Sequence, residues 1–198
     1  MKSARTKKKI SGIDVLSLKS VKEWESWLKM NHADSDRVWL CIQKKGSVKK
    51  SPTYAEALDV ALCYGWIDGQ KNRYDENSWL QKFTPRRPRS SWSKKNTEHA
   101  ERLIKSGKMK SPGLTQIEKA KKDGRWEAAY DSQSNAIIPE DFLKALKRNK
   151  KAEAFFNSLN KTNLFLIAYR LQTAKKPETR EKRMKTILEM MSKGEKIA

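Results

Sequence analysis

The 198-residue chain has little cysteine, proline, glycine, histidine or acid. Only Cys41 and Cys63 occur, each inside an apolar segment, and neither has a second Cys or a His at metal-ligand spacing. Two cysteines in a chain this long make no disulfide framework, so a reducing compartment is expected, with both thiols as small core residues. Eight Gly and six Pro are too few for a collagen-like or low-complexity chain. The longest apolar run, Leu164 to Tyr169, is six residues, far short of the ~20 that span a bilayer. No signal-peptide core follows the basic N-terminus. These absences predict a soluble, cytoplasmic protein with no transmembrane segment. His32 and His99 are isolated, no Cys/His/Asp set has ligand spacing, and neither a Gly-x-Ser-x-Gly elbow nor a phosphate-cradling glycine loop is present. No metal, cofactor or catalytic residue is therefore expected, and the reading leans away from an enzyme.

What is abundant is positive charge. Lys and Arg number 44 against 23 Asp and Glu, a formal charge of +21. Hydrophobic residues make up 37%, with seven Trp, five Tyr and five Phe, so a core can form and wholesale disorder is excluded. The cationic excess reaches every quarter of the chain, with three concentrations. The first is the tail Lys2, Arg5, Lys7, Lys8 and Lys9. The second is Lys44, Lys45, Lys49 and Lys50 around Gly46, which reads as a loop. The third is an acid-free stretch from Asn77 through Thr97, where Lys82, Arg86, Arg87, Arg89, Lys94 and Lys95 alternate with Trp79, Phe83 and Trp92.

The hydrophobic pattern predicts an α+β protein: an N-terminal mixed α/β part with a small sheet, then an all-helical C-terminal module. Val15 to Leu18 and the β-branched run Val38 to Ile42 read as strands. Val21, Trp24, Trp27 and Leu28 fall at helical spacing. Thr53-x-x-Glu56 matches a capping box opening a helix whose stripe is Tyr54, Ala57, Leu58, Ala61 and Leu62. Gly65 to Gly69 breaks that helix, and Ser78 to Thr84 reads as another strand. Pro85 and Pro88 exclude regular helix there. Ser93 is a candidate cap for a helix to about Lys105, with Gly107 as its stop, and Ser111-Pro112 opens another to about Lys122. After a polar linker at 131–138, four apolar stripes begin at Phe142, Ala152, Leu164 and Met184. The expected organisation is a basic, disordered tail over 1–12, an α+β domain over 13–130 and a helical module over 135–196.

Several stretches resemble the YdeI/OmpD-associated family, also called bacteriocin-protection proteins. They are Thr53-Tyr54-Ala55-Glu56-Ala57-Leu58, then Ala61-Leu62-Cys63-Tyr64-Gly65-Trp66-Ile67-Asp68-Gly69, and Phe83-Thr84-Pro85-Arg86-Arg87-Pro88-Arg89 with Trp92 and Asn96. Asp123-Gly124-Arg125-Trp126 is similar too, and residues 135–196 resemble the family's helical module, notably Ala168-Tyr169-Arg170 and Lys175-Lys176-Pro177-Glu178-Thr179-Arg180. The resemblance spans nearly the whole chain past residue 13. It implies a bacterial protein linked to envelope stress and to survival against bacteriocins or cationic antimicrobial peptides, and it brings no reaction and no catalytic residues with it.

The candidate ligand-binding residues are Arg86, Arg87 and Arg89, with Trp92, Trp66 and Asp68. Arginine forks take phosphate or carboxylate bidentately, and flanking prolines would hold the three apart along an extended backbone. Trp92 could stack on a base. The competing reading is that the arginines pair with Asp68, Asp75 or Glu76 and tie loops together, and that Asp68 between two glycines only forms a turn. Likewise Ser93 reads as a helix cap before a nucleophile, the tryptophans as core before a binding surface, and the Met-rich helix near 179–191 as packed on its own domain before a membrane face. Three functions compete. One is a non-enzymatic module that binds an anionic partner or ligand through the Arg/Trp-rich loop. The second is a nucleic-acid-binding protein, favoured by charge but lacking any known nucleic-acid motif. The third is a small enzyme using Asp68 with an arginine partner.

Overall fold

The computed structural model describes residues 8–197 and opens with a hairpin. Strand β1 (Lys8–Ile10) pairs antiparallel with β2 (Ile13–Leu16) across Ser11 and Gly12, both at positive φ, 51° and 75°. That turn geometry matches the right-handed twist of the flanking strands. Residues 8–10, expected as part of a basic, disordered tail through residue 12, belong to the sheet; residues 1–7 of that expectation lie outside the described residues.

Helix α1 (Val21–Asn31) follows, capped by the Ser20 hydroxyl, which accepts the Glu23 N–H at 3.3 Å. It carries the chain over to β3 (Val38–Gln43), parallel to β2. A strand buried through Val38–Ile42 needs cover on both faces, as its unbroken apolar run requires. Helix α2 (Tyr54–Cys63) begins with the expected capping box: the Thr53 hydroxyl takes the Glu56 N–H, and the Glu56 carboxylate returns to the Thr53 N–H at 2.8 Å. Such a cap contributes about 1 kcal/mol. Gly65, at φ +72°, ends the helix and starts β4 (Trp66–Arg73), which pairs antiparallel with β5 (Ser78–Pro85). The sheet order is β1-β2-β3-β5-β4, mixed and five-stranded. Pro85 closes β5 at the ladder's end, where a missing N–H costs least.

Tryptophans fill the space between the helices and one sheet face. Trp24 is fully buried, donates its indole N–H to the Ala57 carbonyl at 3.0 Å, and meets Phe83 at 5.3 Å between ring centroids. Trp27 stacks on Trp24 and meets Trp66 edge-on. The opposite face carries a second cluster of Ile13, Val15, Trp39, Cys41 and Leu80. Helix α3 (Lys94–Lys105) starts after Ser93, whose hydroxyl accepts the Asn96 N–H at 3.2 Å, and Gly107 follows at φ +67°. Ser93 is thus the expected cap. Helix α4 (Ser111–Lys122) comes next, with Gly113 set against the carbonyls that end α2.

The four remaining helices are α5 (Glu140–Leu146), α6 (Lys150–Asn157), α7 (Lys161–Gln172) and α8 (Pro177–Ser192). Asn149 caps α6 and Asn160 caps α7, while Pro177 stands in the first turn of α8, where it displaces no hydrogen bond. Phe142, Leu146, Ile167, Leu171, Ile187 and Met191 bury a common core. Ile187 and Met191 show that α8 packs on its own neighbours rather than presenting its apolar face outward.

By compactness the chain divides into two units. One takes in the chain through Ser90 and again His99–Lys119; the other comprises Ser91–Glu98 and Ala120–Ala198. The helical part therefore gathers in segments from outside the 135–196 stretch. Tyr130 donates its N–H to the Trp92 carbonyl at 3.0 Å and accepts the Lys94 N–H at 2.8 Å, and its ring meets Tyr169 edge-on at 4.7 Å. Asp131, at the start of the expected linker, pairs with Lys94 at 2.8 Å and takes a hydrogen bond from Gln172. Among the described residues no helix is long and apolar enough to cross a membrane.

Candidate functional site

The proline-flanked arginines do not act as one fork. Arg86 donates its N–H to the Gly65 carbonyl at 2.9 Å, and its side chain is carried inward to 4% exposure. Arg87 and Arg89 are exposed on a turn closed by two hydrogen bonds, from the Ser90 N–H to the Arg87 carbonyl and from the Arg87 N–H to the Ser90 hydroxyl. Pro85 ends the strand and Pro88 lies in the turn, so Arg86 is buried while Arg87 and Arg89 are exposed. Trp66, 1% exposed, is core and donates its indole N–H to the His32 carbonyl at 3.0 Å. Trp92, 2% exposed, belongs to the other compact unit and packs on Trp126. Both indoles are buried, including that of Trp92, which the sequence reading offered as a surface for stacking on a base.

Asp68 is not in a turn. It lies in β4, in register with Phe83, and accepts the Tyr54 hydroxyl at 2.7 Å. Burial, and then that hydrogen bond, push the Tyr54 phenol up beyond any physiological titration. Trp66, Asp68 and the Arg86 backbone are thus gathered at one end of the β4–β5 pair, with Arg87 and Arg89 on the loop beyond.

The opposite end of β5 holds a different constellation. Gln43 is in register with Ser78 there, and the loop from β3 to α2 is fastened at three points. The Gln43 N–H donates to the Ser51 hydroxyl at 2.9 Å, the Ser47 hydroxyl donates to the Gln43 side chain at 2.9 Å, and the Lys44 N–H donates to the Asn77 carbonyl at 2.8 Å. This loop borders an open groove of about 700 Å³ whose walls include Lys44, Lys45, Lys49 and Lys50, with Lys19 from the residues just before α1. Its aromatic lining is Tyr54 and Trp79, whose ring centroids are 6.1 Å apart, and the Lys71 ammonium lies 4.5 Å over the Trp79 ring. The Lys44 ammonium donates to the Glu76 carbonyl at 2.8 Å, and two nearby carboxylates are engaged. Glu56 serves the capping box, and the Asp75 carboxylate takes the Ser78 hydroxyl at 2.7 Å and the Asn77 N–H at 2.9 Å. Both carboxyls are held below the usual range, Glu56 chiefly by the Thr53 N–H and Asp75 chiefly by Ser78. The lysine concentration is visible in the sequence; its closure onto Trp79, some thirty residues on, is not.

A second cleft, about 420 Å³, lies among α1, α2 and the residues following α3, with Val21, Val60, Cys63 and Leu103 as its apolar lining. Asp59 lines it too, and is gripped by Arg102 at 2.6 Å and by His99 Nδ1 at 2.8 Å. Burial pushes the Asp59 carboxyl up, but these partners outweigh it and hold it below the usual range. Burial pushes the Cys63 thiol up to about 11, and the Asp59 charge adds to this, so it is a neutral thiol near neutral pH. Asp59, His99 and Arg102 carry no spacing signal, since forty residues separate Asp59 from His99. His99 therefore serves Asp59 and not the serines upstream of it. No group of three or more His, Cys, Asp or Glu among the described residues could hold a metal ion.

Two family models match the chain. Residues 16–116 match a domain of unknown function (DUF8412), and residues 135–194 match the family described as bacteriocin-protection, YdeI or OmpD-associated. The resemblance read along nearly the whole chain is therefore borne out for the C-terminal module alone. The Thr53–Leu58, Ala61–Gly69 and Phe83–Asn96 motifs fall under the first model, and Asp123–Trp126 falls between the two. No curated protein and no solved structure matches the chain.

Proposed function

Since the chain belongs to the family of the domain of unknown function (DUF8412), which covers just over half of it, and carries a YdeI/OmpD-associated module after that, we propose that it serves a bacteriocin-protection role by binding an anionic partner rather than by catalysis. The observation that carries this reading is the groove between the β3–α2 loop and the start of β5, which five lysines line and beside which the Glu56 and Asp75 carboxylates are already hydrogen-bonded. Arg87 and Arg89 add exposed cations on a separate loop, so the anion-binding surface expected from the arginine run shifts mainly to the lysines. Direct capture of a cationic antimicrobial peptide by this surface is disfavoured, because like charges at close range repel. Two buried free thiols suit a reducing, cytoplasmic setting.

The enzyme reading has less behind it. Asp68 faces Tyr54 through a hydrogen bond and lies outside both the lysine groove and the Asp59 cleft. The test is survival of a bacterial strain lacking the protein when challenged with a bacteriocin. Complementation by the wild type should restore survival, while Lys45/Lys49/Lys50→Glu, with unaltered circular dichroism, should restore little. Full protection by that variant would overturn the reading.

A further inference from the structure

We propose that the lysine groove is a binding site for single-stranded nucleic acid. This rests on the anionic-partner reading above and names the partner. Three features of the groove select a chain of phosphodiesters with bases over other anions.

The first is the kind of cation. Lysine is a point charge on a flexible stem, without the rigid fork that grips one phosphate or carboxylate. Lys44, Lys45, Lys49 and Lys50 are all exposed and spread over a loop of seven residues, with Lys19 opposite. The α2 N-terminus nearby gives no anion cradle either, because Thr53 and Glu56 already satisfy its cap. Nothing converges on a single anion. Distributed lysines in an open groove suit a linear polyanion, whose binding is driven by release of its counterions.

The second feature is the aromatic lining. Trp79 is half-buried, so its indole is positioned by the sheet yet reachable from the groove, and Tyr54 lies beside it. A nucleic acid brings a π-face with every unit to stack on such rings, which polyphosphate does not, and stacking tolerates any base. Lys71, exposed on β4 and seated over the Trp79 ring, swings aside or adds its charge to the adjoining phosphate. The third feature is rigidity. Hydrogen bonds from Gln43, Ser47 and Lys44 hold the loop backbone, so the lysine stems start from fixed points at little entropic cost on binding. A duplex hides its base faces, so the groove favours a single strand over a double helix.

The experiment is fluorescence-anisotropy titration of a labelled 15-mer oligo(dT) and oligo(U) across a salt series. The proteins are the wild type, Lys45/Lys49/Lys50→Ala, Trp79→Ala, Trp79→Phe and Arg87/Arg89→Ala, each checked by circular dichroism and melting. Competitors are inorganic polyphosphate and a duplex of equal length. The wild type should bind the single strand. Its log–log salt slope should fall by about 2 in the lysine variant, since each phosphate that a lysine neutralises on a single strand adds ~0.7 to the slope. Trp79→Ala should weaken binding about tenfold, within the range stacking contributes, while Trp79→Phe and Arg87/Arg89→Ala stay within about threefold. Should Trp79→Ala fail to fold, loss of the ligand-induced tryptophan quenching in Trp79→Phe decides the stacking in its place. If polyphosphate competes equally per charge and Trp79 is indifferent, the nucleic-acid proposal falls and the anionic-partner reading stands. If the arginine variant alone loses affinity, the groove is the wrong site and this proposal falls. If no polyanion binds the wild type at low salt, both fall.

Discussion

Asp59 illustrates how one carboxylate can couple stability to pH. Arg102 bonds both its oxygens at 2.6 and 2.7 Å, and His99 adds a third contact. These depress the folded-state value below that of the unfolded chain. The stabilisation is therefore present above the unfolded carboxyl value, about 3.9 for Asp, and is lost as pH falls through the folded value. In acid titrations followed by circular dichroism, stability below about pH 4 should fall more gently with decreasing pH for Asp59→Asn than for the wild type. An identical acid limb in the two proteins would show that the contact is not coupled to folding. At the same scale, Arg86 and Arg87 show how neighbours in sequence part company. The Arg86 N–H is tied to the Gly65 carbonyl and the Arg87 N–H to the Ser90 hydroxyl of the following turn, and one guanidinium is buried while the next is exposed.

Among the elements, α2 is the one on which the N-terminal unit turns. Its start carries the capping box, its face buries Ala57, Leu58, Ala61 and Leu62, and its end meets α4 at very close range. A Cβ at Gly113 would lie 2.6 Å from the carbonyl oxygens of both Leu62 and Cys63 and 2.5 Å from the Met109 sulfur. The methionine could move; two backbone carbonyls at a helix end cannot. Gly113→Ala should therefore destabilise the protein despite the better helix propensity of Ala, by about 1–3 kcal/mol as for overpacked cores. Urea denaturation would read this as a lower midpoint at unchanged slope, and an unchanged or higher midpoint would show that α4 can slide away. The C-terminal helices rely on a different device. Asn caps begin α6 and α7, a proline begins α8, and the common core does the rest. That regularity explains why the hydrophobic stripes were readable one by one.

For the whole molecule, a charge of +21 on 198 residues means that folding concentrates like charges that the unfolded chain keeps further apart. Such self-repulsion destabilises the compact state and is screened by salt. The melting temperature should therefore rise between about 0.02 and 0.3 M sodium chloride, over which the screening length drops to well under 10 Å. Scanning calorimetry would measure it, and a flat or falling melting temperature would mean that local ion pairs such as Asp59–Arg102 and Asp131–Lys94 outweigh the global repulsion. A single-stranded ligand should raise the melting temperature further at low salt, by mass action on the folded state.

The sequence by itself determined the α+β class, the order of most elements, the α2 capping box, the Ser93 cap and the helical C-terminal module. These follow from periodicity, capping chemistry and turn residues, which are local and act over a few positions. It left two things to the tertiary structure. Lys8–Ile10 become a strand only because β2 lies alongside, and a basic, weakly patterned segment gives no sign of that on its own. The sites are the other. Lys44–Lys50 meet Trp79, and Asp59 meets His99 and Arg102, through sheet register and helix packing over thirty to forty residues. The arginine run looked like a site because its charges are adjacent in sequence, but Arg86 is buried while Arg87 and Arg89 stay on an exposed turn, whereas chain reversal assembles the lysine groove from parts that no spacing rule connects.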